Sequence, residues 1–370
     1  MEEKSKKTFI IIVIALVILA LAAFVGAVIR QSGTFSLSAV EDFLSGIRHT
    51  QRAEEFFFDA DSKTVCADVN GSFLACSAAK VQLLSPEGTK LYEENLLLDS
   101  PAVTASDRYA LVYDLGGTYA ALFSGKTLLW SKTMENVIIS ATVDNSGHAV
   151  ICTQETGYKG SVNVFDKNGK ALYKWSSGSG YVLTAAMTGT TDLAVLTLGK
   201  EGSVITALNL NEEAEKGSAV IAEDMVVELA VMYNGELLAV SDQAVYSVEP
   251  EKEKAELRYT FDGGHLAGLG VCREYLTLYL RDYSVGNVGR LVVLGSGGKE
   301  EATLSNDQEV RAMACGGGSV YVLRPEGLQV LSRKLEQNQV YENAAGAGNV
   351  IVLADGSAAV IFSHSAQVFS

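Results

Sequence analysis

Residues 137–175 read VIISATVDNSGHAVICTQETGYKGSVNVFDKNGKALYKW, four short apolar or alternating runs separated by turn chemistry. The runs are 138–143, 148–153, 162–165 and 171–175, with DNSG (144–147) between the first two and DKNG (166–169) between the last two. Val, Ile, Phe and Tyr fill a pleated, packed surface, while Asp, Asn and Gly supply the positive φ and local side-chain bonds of tight hairpins. The stretch therefore predicts one four-stranded antiparallel unit, and the rest of the chain repeats it.

The turn joining the first two strands recurs at Asn70-Gly71, Ser106-Asp107, 144–147, 189–192, Asn234-Gly235, Arg273-Glu274, 316–318 and Asp355-Gly356, each flanked by apolar residues. A second marker, between the third and fourth strands, recurs as SPEG (85–88), SGK (124–126), DKNG and GSGG (295–298). Successive copies start roughly 36 to 45 residues apart, the period of a four-stranded propeller blade. This predicts an all-β, eight-bladed β-propeller over residues 54–370; seven blades is the alternative if the weak copy at Arg273 is not one. After the last turn, 349–353, 358–362 and 367–369 offer only three strands. The isolated run EEFFFD (54–59) is expected to supply the fourth and close the ring, removing two sheet edges.

Residues 8–29 carry no charge and are mostly Ile, Leu, Val and Ala; as a helix they extend about 33 Å, enough to cross a bilayer. They predict a transmembrane α-helix acting as a signal-anchor after a basic tail, 1–7. Lys4, Lys6 and Lys7 precede it and only Arg30 follows closely, which puts the N-terminus in the cytoplasm and the propeller outside a cell membrane crossed once. The competing reading is a signal peptide cleaved after Ala27. Residues 30–53 form a juxtamembrane spacer in which Val40, Phe43, Leu44 and Ile47 recur at helical spacing behind Ser38 and Glu41, the pattern of a capping box. A short amphipathic helix is expected there, packing on the domain that follows or meeting a partner or the membrane surface.

The net charge of −15 opposes nucleic-acid binding, because phosphate neutralisation needs a basic groove. Lys4, Lys6, Lys7 and Arg30 with Glu2 and Glu3 account for +2, so the remainder carries −17 and is held away from anionic lipid. Cys66, Cys76, Cys152, Cys272 and Cys315 sit at wide spacings with no CxxC pair, and read as small buried hydrophobes. Cys66 and Cys76 flank the Asn70-Gly71 turn and could approach one another, but an odd total speaks against a full disulfide framework.

Phe165-Asp166, Gly169-Lys170 and Trp175, with Gly125-Lys126 before Trp130 as a partial second copy, resemble the repeat of quinoprotein-like (PQQ-like) propellers. The spacing from Gly-Lys to Trp is longer here and only these copies carry a Trp, so the resemblance implies the fold and not the cofactor. As a whole, a basic N-terminus, one transmembrane helix and a degenerate propeller look like an uncharacterised bacterial family of single-pass membrane proteins classed as a domain of unknown function.

No catalytic, metal or cofactor site is predicted. His49, His148, His265 and His364 lie far apart, with no metal-ligand spacing. Asp59, Asp61, Asp144 and Asp166 raise a calcium question, but DKNG lacks the closing Glu of an EF-hand loop, and turn chemistry explains these residues. The two tryptophans are expected to be packing anchors on outer strands, and 316–318 a hairpin rather than a phosphate cradle. The predicted function is a non-enzymatic binding or scaffolding module for a cell-envelope protein. The alternative is cell-wall glycan binding or hydrolysis, which needs paired carboxylates beside exposed aromatics on one face.

Overall fold

The second strands of successive repeats, such as Ser72–Cys76, Ala149–Thr153 and Leu237–Ser241, are buried along their whole length. Fourth strands such as Thr127–Thr133 and Glu300–Asn306 alternate between exposed and covered positions. A strand covered on both faces reads as a continuous apolar run, and one at a solvent edge as an alternation. A computed structural model, which describes residues 55–369, arranges these strands into eight four-stranded antiparallel sheets.

Blades 1 to 7 are contiguous and span 65–95, 101–133, 138–176, 181–221, 226–260, 265–306 and 312–341. Blade 6 contains the weak copy at Arg273 as a complete sheet, so the ring has eight blades rather than seven. Blade 8 combines Asn349–Val352, Ala358–Ile361 and Ser365–Phe369 with Glu55–Phe57 from the opposite end of the chain. Glu55 pairs with Gln367, Phe56 with Ala366 and Phe57 with Ser365, and the Phe58 N–H donates to the His364 carbonyl at 3.1 Å. The closing strand is thus the outermost of blade 8, as the orphaned EEFFFD run predicts, though it is shorter than 54–59.

Eight apolar cores hold the ring, one between each pair of neighbouring blades. The core between blades 8 and 1 contains Phe56, Phe58 and Phe73, with ring centroids 5.0 Å (Phe56–Phe73) and 5.4 Å (Phe58–Phe73) apart. Antiparallel order places the first-to-second and third-to-fourth turns at one end of every blade, here the hairpin face. The second-to-third loops and the connections between blades lie at the other, the loop face. First strands adjoin the first strands of adjacent blades and surround the axis. In blades 3 to 6 that strand carries a bulge near its start, between Ile138 and Ser140, Val182 and Thr184, Val226 and Glu228, and Leu266 and Gly268.

Trp130, on the fourth strand of blade 2, packs on Phe165 of blade 3 at 6.0 Å between centroids and covers the DKNG turn. A Cβ at Gly169 would lie 3.0 Å from Trp130 Cγ, and the residue sits at φ 77°, so the turn admits only glycine there. The tryptophan is a packing anchor at a blade junction, as expected.

Cys76 and Cys152 are buried in apolar cores as expected, and two other cysteines depart from that reading. Cys272 and Cys315 form a disulfide, Cα to Cα 5.9 Å, that joins the inner strand regions of blades 6 and 7. Cys66 faces Ala75 and Val65 faces Cys76. That one-residue offset sends the Cys66 and Cys76 side chains to opposite faces of the sheet, where they join different cores. Cys66, Cys76 and Cys152 are free thiols.

Residues 1–54 and 370 lie outside the described residues, and with them the predicted transmembrane segment and spacer. Among the described residues no helix is long and apolar enough to cross a membrane.

Candidate functional site

The residues that sequence reading weighed for chemistry are held by local bonding and remain apart. Asp166 accepts backbone N–H groups of Asn168 and Lys170 at 2.8 and 2.9 Å, and Asp144 those of Ser146 and His148 at 2.9 and 2.7 Å. His148 is less exposed than its place beside a turn glycine suggests: its Nδ1 lies 2.7 Å from Asp144 Oδ2 and its side chain is largely covered. Asp61 receives the N–H groups of Lys63 and Ala78, and Asp59 pairs with Lys80 at 2.6 Å. His265 begins the first strand of blade 6, His364 lies in the blade 8 loop, and His49 is outside the described residues. Residues 316–318 form the blade 7 hairpin, closed by the Gly316–Ser319 pair. Among the described residues no three His, Cys, Asp or Glu side chains gather as a metal site. Burial pushes the thiols of Cys66, Cys76 and Cys152 up to about 12, which suppresses the reactive thiolate at neutral pH.

The hairpin face is bridged over the axis. Arg273 of blade 6 pairs with Asp107 of blade 2 at 3.0 Å, although these blades stand opposite one another in a ring of eight. Asn145 of blade 3 accepts the Asp107 N–H at 2.9 Å and donates to its carboxylate at 2.8 Å. The Arg273 guanidinium lies 5.0 Å from the Tyr233 ring of blade 5, whose N–H donates to the Arg273 carbonyl at 2.7 Å. Nearby, burial raises the Asp68 carboxyl to about 6, the Gly71 and Ala354 N–H groups opposing that rise and the charges of Asp355 and Asp107 adding to it.

Along the axis, Ser140 and Thr142 of blade 3 donate to the carbonyls of Leu183 and Ala185 in blade 4 at 2.8 and 2.6 Å. Glu228 occupies the position after the bulge in blade 5, equivalent to Ser140. Its carboxylate accepts the Leu229 N–H at 3.1 Å, and burial raises its pKa. A cleft of about 530 Å³ lies on the hairpin face between blades 4 and 5 and is lined by Asp192, Glu236, Glu251 and Lys252 among others. Lys216 bridges Asp192 and Glu251 beside it, at 3.0 and 3.1 Å.

The loop face differs in kind. Of the large hydrophobic side chains exposed among the described residues, only Tyr233 and Val271 stand on the hairpin face. Leu97, Leu115, Tyr158, Tyr181, Met225, Val227, Tyr283, Val285 and Val288 all stand at the loop face, and the others lie on outer strands. Lys159 extends over the Tyr181 ring at 4.7 Å. The exposed apolar side chains are thus concentrated at one end of the ring, distributed over the loops and connections of blades 1 to 6. Sequence reading left open which face would bind; the apolar content of the second-to-third loops and of the connections between blades falls at one end only once the blades are assembled.

The fold is shared widely at low identity. The chain is similar to Sqt1 of Saccharomyces cerevisiae, TM-score 0.62 at 11% identity over 86% of this chain and 99% of that one. BamB from Moraxella catarrhalis gives 0.55 at 13% over 86% and 96%, and the C-terminal WD40 domain of Sif2 gives 0.56 at 13% over 85% and 95%. At these identities the likeness concerns the fold alone. A search of curated proteins finds no match. The model of the Family of unknown function (DUF5711) matches residues 48–365, and the chain belongs to that family.

Proposed function

We propose that this protein is a membrane-anchored, extracytoplasmic propeller that binds a cell-envelope protein without catalysing a reaction on it. The observation that carries the reading is the gathering of exposed Tyr, Val, Leu and Met side chains on the loop face. Two further features support it. The uncharged segment 8–29 has the length and flanking charges of a single-pass anchor with the propeller outside. The Cys272–Cys315 disulfide belongs to an oxidising compartment. Propellers often serve as protein-binding scaffolds, and this one carries its binding chemistry on a face rather than in a cleft.

The test is photo-crosslinking in intact cells, with a photoreactive residue at Tyr158 or Tyr283 on the loop face and at Lys167 in the blade 3 turn of the hairpin face. A reproducible protein captured from the first two positions and not from the third is the expected result. Capture of wall glycan without an enriched protein would favour the glycan-binding alternative instead.

A further inference from the structure

Five of the eight arginines among the described residues, Arg258, Arg273, Arg290, Arg311 and Arg333, have a carboxylate within ion-pair distance. Arg108 is exposed in the blade 2 hairpin. The remaining two, Arg281 and Arg324, end the second strands of blades 6 and 7 and therefore lie at the loop face. Strand alternation puts Arg281 on the same sheet face as Tyr279, and Arg324 with Val320 and Val322. Tyr279, Val320 and Val322 all belong to the core between blades 6 and 7, so both guanidiniums enter the same junction. Burial raises the Tyr279 hydroxyl, and the charges of Arg281 and Arg324 both oppose that rise, in keeping with their place at the same junction.

Among the described residues neither cation has a carboxylate within ion-pair distance. The Arg281 Nε is shielded from solvent and meets no acceptor. Arg324 donates to Gln329 Oε1 at 2.9 Å and to the Glu309 carbonyl at 3.4 Å, both neutral, and burial lowers its pKa. Glu326 and Asp307 act on it only through space. In a chain of net charge −15, two partly buried guanidiniums that lack a paired carboxylate call for an anion from outside. The loop that follows Arg281 exposes Tyr283, Val285 and Val288 by 69%, 83% and 51%. Guanidiniums beside exposed aromatic and aliphatic side chains have the composition of a binding hot spot.

We propose that the loop-face end of the blade 6–7 junction is a carboxylate-recognition site, in which Arg281 and Arg324 take an Asp or Glu side chain of the partner protein while Tyr283, Val285 and Val288 cover the apolar residues beside it. The site rests on the protein-binding reading above and names the chemistry it selects.

The test uses the purified full chain in detergent micelles. The probe is a pool of synthetic ten-residue peptides with Asp or Glu flanked by Leu, Phe and Tyr, against a matched pool carrying Asn or Gln. The acidic pool should bind at least tenfold more tightly, and Arg281→Met and Arg324→Met should each remove at least tenfold while Arg108→Met changes nothing. If the Met variants do not fold, Arg281→Lys and Arg324→Lys keep the charge without the planar fork and should weaken binding several-fold. Equal binding of the two pools, unchanged binding in the arginine variants, or displacement of the peptides by equimolar inorganic phosphate would each overturn the site. Crosslinking from Tyr283 in cells separates the two readings. A captured protein whose yield is unchanged in the arginine variants overturns this site and leaves the binding function standing. No captured protein from the loop face overturns the function itself.

Discussion

Two junctions in this ring are fastened in opposite ways. Blade 8 meets blade 1 through an aromatic core and completes its own sheet with a strand borrowed from the other end of the chain, three residue pairs long. Blade 6 meets blade 7 through an aliphatic and tyrosine core of similar size, but there a disulfide ties the inner strand regions together while the loop-face end holds two guanidiniums without a carboxylate partner. Among the described residues the first junction has no covalent link. The second is cross-linked near the axis and left electrostatically incomplete at its loop-face end. A junction with a covalent link can tolerate unsatisfied charge that would weaken one held by packing alone, and that is where the structure keeps it.

The largest effect expected on this contrast comes from removing the borrowed strand. Deleting 54–59, or the last strand from Ala366 onward, leaves two open sheet edges and exposes the Phe73 core, so size-exclusion and thermal melting should report an unfolded or oligomeric chain. A monomer with unchanged Tm would break the closure argument. Next, Cys272→Ser with Cys315→Ser should cost about 3–4 kcal/mol, because a link across 43 residues restricts the unfolded chain. Denaturant titration with and without reductant checks it, and a loss well below that range would make the two junctions alike.

A smaller effect concerns Asp68, whose neighbours Asp107 and Asp355 belong to the blades on either side of blade 1. Its carboxyl is raised from 3.8 to about 6, so between those values the folded chain holds a proton that the unfolded chain has released. Stability should therefore fall as pH rises from about 4 to about 6. Asp68→Asn should flatten that slope and raise stability at pH 7 by on the order of 1–2 kcal/mol. A steeper slope in the variant would reverse the assignment. Smallest is Arg273→Ala, which removes an exposed ion pair worth about 0.2–1 kcal/mol. A Tm shift of many degrees would mean that the bridge across the hairpin face carries load comparable to a junction.

Much of the fold was legible in the sequence, and the reason lies in turn chemistry. Asn70-Gly71, the glycines at 147, 235 and 356, and Gly169 of the DKNG loop all sit at positive φ, where few residues are admitted, so their recurrence marked the hairpins directly. The closing strand was legible because six residues of apolar and acidic character stood alone before the first copy. The disulfide was not. Its cysteines lie in strand-like runs that packing explains equally well, although their separation of 43 residues falls within the repeat period and so places them on adjacent inner strands. Cys66 and Cys76 misled in the other direction, since closeness around a hairpin says nothing of which sheet face each side chain takes. Arg281 and Arg324 gave no local signal. Their shared environment arises only when two blades meet, and the lack of a counter-charge is a property of three-dimensional neighbours.

The placement of Glu55–Phe57 at the outer edge of blade 8 has a mechanical meaning. The chain reaches the ring at the rim of the hairpin face, through the strand that holds the ring shut. A pull on the chain ahead of Glu55 should be borne by three backbone pairs and by Phe56 and Phe58, which pack on Phe73 of blade 1. Entry strand and clasp are one segment, so a force applied at the N-terminal end of this strand should open the ring early.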